Sequence, residues 1–304
     1  MNTASKVSAY GLALVIAFGG AWAAGAVVGP LGGTTPPSAD GMAHGSSAEP
    51  MSALPPGLSV AENGYTMRLA SDTVVTGAQQ PFRFHISGPD GSPLTKFEVQ
   101  HDKLLHLVLV RRDGSGYQHL HPEMAADGTW TVPLGLAAAG SYRVFADFKP
   151  EGGAKTTLGA DVQAPGAFEP RQYPADSRES TVDGYTVRLD GGLKAGAESP
   201  VTATVTRNGQ PVTDLQPYLG ANGHLVALRG ADLAYLHVHP QDAPGAGPEV
   251  KFLVEVPTTG RYRLFLDFQH EGRVRTAEFT LGTDGPAPAP APATTPEAGH
   301  GHGG

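Results

Sequence analysis

Two sets of three histidines recur in this chain with the same internal spacing. In each set, the second histidine lies thirteen positions after the first, and the third follows two positions later. The sets are His106, His119 and His121, and His224, His237 and His239. Imidazole nitrogens suit Cu(II), Zn(II) and Ni(II), and a His-x-His on a strand has both rings on one face of the sheet. The spacing therefore predicts a metal site.

A hairpin would bring each set together. Residues 106–110 and 117–121 are typical of two strand arms around Asp113-Gly114, and in the second copy the arms flank residues 229–232. If an even number of residues lies between paired positions, as it does when His106 pairs with His119, all three rings lie on one face of the hairpin. Directly opposed Cβ atoms there are about 5 Å apart. An odd loop would send His106 to the other face, and the argument would fail.

Four further residues are weaker candidates. His101 and His270 are extra histidines, one in each copy and without a counterpart in the other. Asp147 and Asp267 recur on the non-core face of their strand, as a fourth ligand or as acceptors for an imidazole N–H. The competing interpretation is that the histidines end an edge strand and bond to backbone, and that the aspartates pair with Arg143 and Arg263 or with turn amides.

Composition excludes several classes of site and partner. The chain has no cysteine, which excludes zinc ribbons, iron–sulfur clusters, thiolate nucleophiles and blue-copper centres. A net charge of −8 without a basic patch argues against a nucleic-acid partner. No nucleophile elbow or phosphate loop is present, so we predict no enzyme activity and no organic cofactor.

An internal duplication with a period near 120 residues organises the chain. Gly64–Leu69 recurs as Gly184–Leu189, and Gly140–Phe148 recurs as Gly260–Phe268. Both copies alternate with period two and are interrupted by turn signals such as Asn208-Gly209. We predict an all-β chain of two tandem sandwiches with about seven strands each.

One strand in each copy indicates the type of sandwich. Its core face would be Tyr142, Val144, Ala146 and Phe148, and in the second copy Tyr262, Leu264, Leu266 and Phe268. A Tyr two residues after a strand-opening Gly resembles the tyrosine corner of immunoglobulin-like domains. Trp130 has no counterpart and is predicted to lie in the core.

The predicted organisation has five parts. They are a signal peptide or transmembrane anchor (1–31), a flexible linker (32–56), the first sandwich (57–165), the second sandwich (166–283) and a Pro/Ala-rich, histidine-containing tail (284–304). Lys6 precedes the apolar run 7–31, which is long enough to span a bilayer; a small-residue cleavage site near Ala23 or Ala26 is the alternative. Either way the remainder is predicted to lie outside the cytoplasm, at the membrane or secreted.

His119-Leu120-His121-Pro122 and His237-Val238-His239-Pro240 resemble the repeats of actinobacterial exported or anchored proteins described as heavy-metal-binding. At the level of the fold, the chain is also similar to periplasmic copper-resistance β-sandwich carriers. The resemblance implies copper, with zinc as the alternative, and a metal transporter or metallochaperone as partner. Those carriers use a histidine at the mature N-terminus, which no cleavage site here exposes.

Three functions compete. The first is extracytoplasmic metal handling or resistance, with one site per domain. The second is a cell-surface structural or interaction module in which the histidines are incidental. The third is a bicupin-like metalloenzyme, suggested by His119-x-His121-x-Glu123, although the second copy lacks the Glu. A metal protein should cluster the histidines, an interaction module should separate them, and a cupin should enclose them in a barrel.

Overall fold

The computed structural model describes residues 55–241 and 247–283, except for the side chains of His237 and His239. The predicted membrane segment, the C-terminal tail and all but the last two residues of the predicted linker lie outside these ranges. Within the described part of the chain, no helix is long and apolar enough to cross a bilayer.

The first repeat forms two antiparallel sheets. Its strands are β1 (Ala61–Glu62), β2 (Tyr65–Leu69), β3 (Gln80–Ser87), β4 (Phe97–Glu98), β5 (Leu105–Arg111), β6 (Gln118–Leu120), β7 (Glu123–Met124), β8 (Trp130–Leu134), β9 (Gly140–Pro150) and β10 (Thr156–Ala164). One sheet has the order β1-β2-β3-β8-β7, and the other has the order β10-β9-β5-β6 with β4 beside β9. The two sheets enclose the first core.

The second repeat forms one continuous sheet of nine strands. Its strands are β11 (Glu179–Val182), β12 (Tyr185–Asp190), β13 (Ala197–Arg207), β14 (Gln210–Pro211), β15 (Gly223–Arg229), β16 (Tyr235–Pro240), β17 (Glu249–Val256), β18 (Arg261–His270) and β19 (Arg273–Gly282). Strand β16 pairs with β15 on one side and with β17 on the other, so the sheet folds around its core. Without the two-residue strands, seven strands remain in the first repeat and eight in the second.

The immunoglobulin-like, tandem all-β prediction is confirmed in detail. The predicted core faces of β9 and β18 are buried in their own sandwiches. The hydroxyl of Tyr142 donates to the Ala138 carbonyl at 2.7 Å, and the hydroxyl of Tyr262 donates to the Thr258 carbonyl at the same distance. These are tyrosine corners, which fix the entry of the strand against the preceding loop. Trp130 is buried.

The histidine hairpins form with the required parity. In the first repeat Val108 pairs with His119, and in the second Val226 pairs with His237. Both registers leave an even number of residues in the loop, and in the first repeat this places His106, His119 and His121 on one face. The pairing is shifted by two residues from a direct His106–His119 pair, which leaves the face unchanged because side chains alternate.

The histidine faces of the two repeats pack against each other. Alternation puts Val144 and Leu264 in the sandwich cores and turns Phe145 and Phe265 outward. The outward side chains form a third buried cluster, which we call the inter-repeat interface: Val108, Val110, Phe145, Val226, Leu228, Leu233, Tyr235 and Phe265. The outward faces of the two sandwiches are thus buried at this interface, and a polar side chain on them needs a hydrogen-bond partner.

The end of the predicted linker is part of this interface. The Pro56 carbonyl accepts a hydrogen bond from the Tyr235 amide at 2.9 Å, although sequence placed Pro56 in a flexible segment. The next residue, Gly57, accepts two hydrogen bonds from the Arg143 guanidinium at 2.9 and 2.6 Å. The N-terminal segment therefore joins the two repeats where it enters the folded part.

Candidate metal centre

Three histidines of the first repeat converge at the edge of the inter-repeat interface. His106 leaves β5, while His119 and His121 extend from β6 and the residue that follows it. One ring nitrogen from each lies within 4.8 Å of the corresponding nitrogens of the other two. The prediction that His106, His119 and His121 come together is met by this geometry, which we call the triad.

Hydrogen bonds fix how two of these rings present their nitrogens. Nε2 of His106 lies 2.9 Å from the Gln100 carbonyl oxygen, and Nδ1 of His119 lies 2.8 Å from Oδ2 of Asp267. Since a carbonyl and a carboxylate only accept, these two nitrogens carry the protons. The other nitrogens, Nδ1 of His106 and Nε2 of His119, face each other at 3.0 Å. In neutral imidazoles both would be lone pairs, which repel unless a cation, either a proton or a metal ion, lies between them.

The separation suits a metal ion as that cation. Metal–imidazole bonds of about 2.0–2.1 Å put neighbouring ligand nitrogens roughly 2.9–3.4 Å apart, from right-angled to tetrahedral geometry. The third ring contributes an unsatisfied group, because Nε2 of His121 is buried without a hydrogen-bond partner among the described residues. A buried polar atom without a partner is costly, and coordination would satisfy it.

Burial keeps the imidazoles in the form that binds metal. It lowers the pKa of His106 to about 4 and, together with repulsion from His119, the pKa of His121 to about 3. Burial and then repulsion from His101 lower the pKa of His224 to about 4. At neutral pH these rings are uncharged, so a metal ion would not have to displace protons from them.

The two aspartates lie at matching positions and are both buried. Thr276 donates its hydroxyl proton to Asp267 at 2.5 Å, and Thr157 donates to Asp147 at 2.8 Å. Asp267 of the second repeat then orients His119 of the first, whereas Asp147 also forms an ion pair with Lys155 at 3.2 Å. Arg143 pairs with Asp161 and Arg263 pairs with Glu278. Asp267 serves as the acceptor for an imidazole N–H.

The second repeat contributes to the same site. A cavity of about 30 Å³ is lined by residues of both repeats, namely His101, His106, His119, Asp147, His224, Leu225, Val226, Tyr235 and Val238. This is room for one ion or water molecule. His224 donates from Nε2 to the carbonyls of Tyr218 and Leu219 at 2.9 and 3.1 Å, which leaves its Nδ1 as the potential ligand atom. Sequence predicted one site per domain. His224 of the second set lines the same cavity as His106 and His119 of the first, and the side chains of His237 and His239 lie outside the described part.

The cluster lies outside both sandwich cores. Its residues share the outward face with Phe145 and Phe265, and Asp267 crosses between repeats to reach His119. The bicupin hypothesis required the histidines inside a closed barrel, and the described cluster does not have that position. Glu123 of the cupin-like pattern is exposed on β7, in the other sheet.

His270 belongs to a different set of contacts. Its Nδ1 lies 2.7 Å from the Tyr185 hydroxyl and its Nε2 lies 3.0 Å from Oδ1 of Asp214. Both ring nitrogens are thus bonded within the second repeat, and the candidacy of His270 as a ligand is not supported. The ring instead anchors the end of β18 to neighbouring segments.

Some predicted residues cannot be compared with the structure. The backbone of His237 and His239 lies in β16, but their side chains are outside the described part. Met42, His44, Met51, His300 and His302 lie outside the described residues.

Aromatic residues near the cluster were not predicted. Tyr117 stacks on Phe265 of the other repeat with ring centroids 4.1 Å apart, and Tyr235 packs on Phe145 at 5.5 Å. Tyr218 lies near His121 and His224, and burial raises its pKa to about 12. The signal for two of them was present, because Tyr-x-His-x-His occurs in both copies.

Known proteins were compared with this chain by sequence and by structure. No curated protein matches the chain. Solved structures with similar strand arrangements include FdeC, an Escherichia coli adhesin (17% identity, TM-score 0.24, 74% of this chain and 65% of that chain). InvD of Yersinia pseudotuberculosis (12%, 0.25, 75% and 62%) and domains 4 and 5 of the S-layer protein SbsC (11%, 0.24, 74% and 98%) are further examples. The chain spans less than two thirds of the length of the two first-named proteins, and these scores carry no argument about function.

A family model matches the chain twice, over residues 59–166 and 180–285, and each match covers one repeat. Together the matches extend over more than half of the sequence. The chain therefore belongs to the family described as "Domain of unknown function (DUF8832)", of which it contains two consecutive copies.

Proposed function

We propose that this chain is an extracytoplasmic metal-handling protein that binds a divalent transition-metal ion between its two repeats. Copper(II) is the first candidate and zinc(II) the alternative. The observation that carries the proposal is the pair of imidazole nitrogens, Nδ1 of His106 and Nε2 of His119, held 3.0 Å apart with their opposite nitrogens bonded to acceptors. A cation between them removes the repulsion of two lone pairs.

The donor set supports this choice of metals. Nitrogen ligands without thiolate suit Cu(II), Zn(II) and Ni(II), and Cu(II) binds such sites most tightly in the usual order of divalent ions. The Asp267–His119 pair is the kind of carboxylate–imidazole contact that raises ligand basicity in metal proteins. The signal peptide or membrane anchor predicted from the apolar run 7–31, and the resemblance to heavy-metal-binding exported proteins, support a role outside the cytoplasm, in storage, transport or resistance.

Calorimetric titration tests the proposal on the full chain. Since His44, His300 and His302 lie in segments that could bind metal by themselves, they are replaced with alanine in the parent protein. We expect Cu(II) or Zn(II) to bind with a Kd below about 10 μM, about −7 kcal/mol. His119→Ala should weaken binding at least about 100-fold, because it removes one ligand and leaves Asp267 without its partner.

His85→Ala is the matched control. It removes a histidine from the same repeat, but His85 lies on β3 in the sheet that does not carry the triad. Its metal affinity should equal that of the parent. If the parent binds no metal more tightly than about 10 μM, the metal function is wrong, and the alternative of a cell-surface interaction module with incidental histidines is left standing.

A further inference from the structure

Two tight turns face each other at the edge of the cluster. In the first repeat the Gln100 amide donates to the Lys103 carbonyl at 2.8 Å and the Lys103 amide donates back at 3.0 Å. In the second repeat Tyr218 and Ala221 make the same pair of bonds at 2.7 and 3.2 Å. A side chain on Gly220 of the second turn would come within 3.9 Å of the Asp102 carboxylate of the first. We call this pair of turns the mouth.

Each turn holds a histidine of its own repeat in the same way. His106 bonds to the carbonyl of Gln100 and His224 to that of Tyr218, in each case six residues earlier. The two turns therefore occupy equivalent places in the two repeats. The first central residue of the turn is His101 in one repeat and Leu219 in the other.

His101 is held in an unfavourable conformation. Its φ of 47° lies in the left-handed region, and so does that of Asp102 at 62°. Residues other than glycine adopt this region at a cost, and such positions concentrate at functional sites. The turn leads the His101 ring over the cluster, with its centroid 5.1 Å from that of His224 and 6.2 Å from that of His106.

The histidines around the cavity differ in accessibility. His101, His119 and His121 are partly exposed, whereas His224 and His106 are buried. His101, His224 and His106 line the small cavity that also reaches His119. His101 is not one of the three residues whose nitrogens converge within 4.8 Å, so it lies beside the triad, next to His106 and His224. The exposed carboxylate of Asp102 adds a negative charge at the entrance.

We infer that His101 is a transfer ligand, which takes a divalent metal ion at the mouth and passes it through His224 to the triad, and returns it by the same route. This inference rests on the proposed function. The ion keeps its charge throughout, and neutral imidazoles replace one another as ligands. Such a residue controls the rates of metal binding and release more than the affinity, since it lowers the barrier for both directions equally.

Kinetics of metal exchange test the inference in the full chain with the tail histidines replaced. Binding of Cu(II) is followed by stopped-flow fluorescence, and release is followed by transfer to excess EDTA. His101→Leu should slow both rates about tenfold or more and change the Kd by less than about threefold. Leucine is the residue that the second repeat carries in the equivalent turn, where Leu219 adopts a φ of 53°.

A second variant and a control protect the test from folding artefacts. His101→Asn should slow exchange in the same way, and asparagine accepts positive φ readily. His85→Leu makes the same chemical change on β3 and should leave both rates unaltered. Unchanged rates in both His101 variants, or a Kd raised tenfold or more with an unchanged binding rate, would overturn the transfer role. Failure of the unsubstituted parent to bind metal would instead refute the proposed function.

Discussion

The two repeats carry the same buried histidine beneath different turns. His106 and His224 occupy equivalent strand positions and donate to equivalent turn carbonyls. The residue that follows the accepting carbonyl in the turn is His101 in the first repeat and Leu219 in the second. The strands are constrained by ladders and cores, whereas a turn residue is constrained mainly by its φ. The comparison shows that the duplicated strands supply the scaffold and that a turn is where the two copies differ chemically.

The aromatic contacts of the interface differ in a second way. The rings of Tyr117 and Phe265 are parallel, with an interplanar angle of 4°, whereas those of Tyr235 and Phe145 are tilted by 44° and lie farther apart. Gly57 of the N-terminal segment lies beside the second pair. A Cβ there would come within 2.5 Å of the Phe145 ring and 3.1 Å of Cβ of Tyr235. The N-terminal segment thus packs against the tilted pair, Tyr235 and Phe145, and this is the ring pair that differs from its counterpart in the other repeat.

The largest expected effect comes from adding a methyl group at Gly57. Gly57→Ala should lower the free energy of unfolding by about 3 kcal/mol or more, from about 1–2 kcal/mol of left-handed strain and about 1–3 kcal/mol of overpacking. Gly184→Ala is the control, because Gly184 has a similar φ of 79° and open space around it. Gly184→Ala should lower the free energy of unfolding only by the left-handed strain, about 1–2 kcal/mol. Urea denaturation measures both, and equal losses would mean that the segment does not press on the interface.

The next effect separates the two aspartates. Asp267→Asn should weaken metal binding about 10- to 100-fold, since it removes the carboxylate that orients His119. Asp147→Asn should weaken it less, because the carboxylate of Asp147 already accepts from the Thr157 hydroxyl and is neutralised by the Lys155 ammonium at 3.2 Å. Calorimetry with Cu(II) compares the variants. An equal loss of Cu(II) affinity in the two variants would contradict this prediction and show that the two aspartates contribute equally to metal binding.

The smallest effect concerns pH. His106 and His224 have pKa values near 4 in the folded protein, below the ordinary value of 6.5. Between pH 6.5 and 4 the unfolded chain binds more protons, so the stability that these two groups contribute above pH 6.5 decreases as pH falls. Each contributes a slope of up to about 1.4 kcal/mol per pH unit.

Denaturation of metal-free protein in EDTA, at half-unit steps from pH 6.5 to 5, measures this slope. His106→Asn and His224→Asn should each reduce it by one proton, to the same extent. A constant free energy of unfolding over this range would contradict the assignment of these rings as neutral and buried. Unequal reductions would show that the two histidines are not equivalent.

Much of the molecule could be predicted from local pattern. The repeat, the turn at Asn208-Gly209, the tyrosine corners and the core face of β9 depend on neighbouring residues and on period-two alternation. The sharing of one face by His106, His119 and His121 also depended only on the parity of a hairpin loop. The candidacy of His270 failed because spacing alone does not show that Tyr185 and Asp214 occupy its nitrogens.

The sequence by itself determined which side chains each repeat turns outward, since alternation along a strand is a local property. Only the tertiary structure decided that the two outward faces bury each other and bring Asp267 to a histidine 148 residues away. That contact depends on which surfaces dock, and docking is governed by the area and shape of whole sheets rather than by any short segment. For the same reason, only the folded chain places His101 of one repeat over His224 of the other.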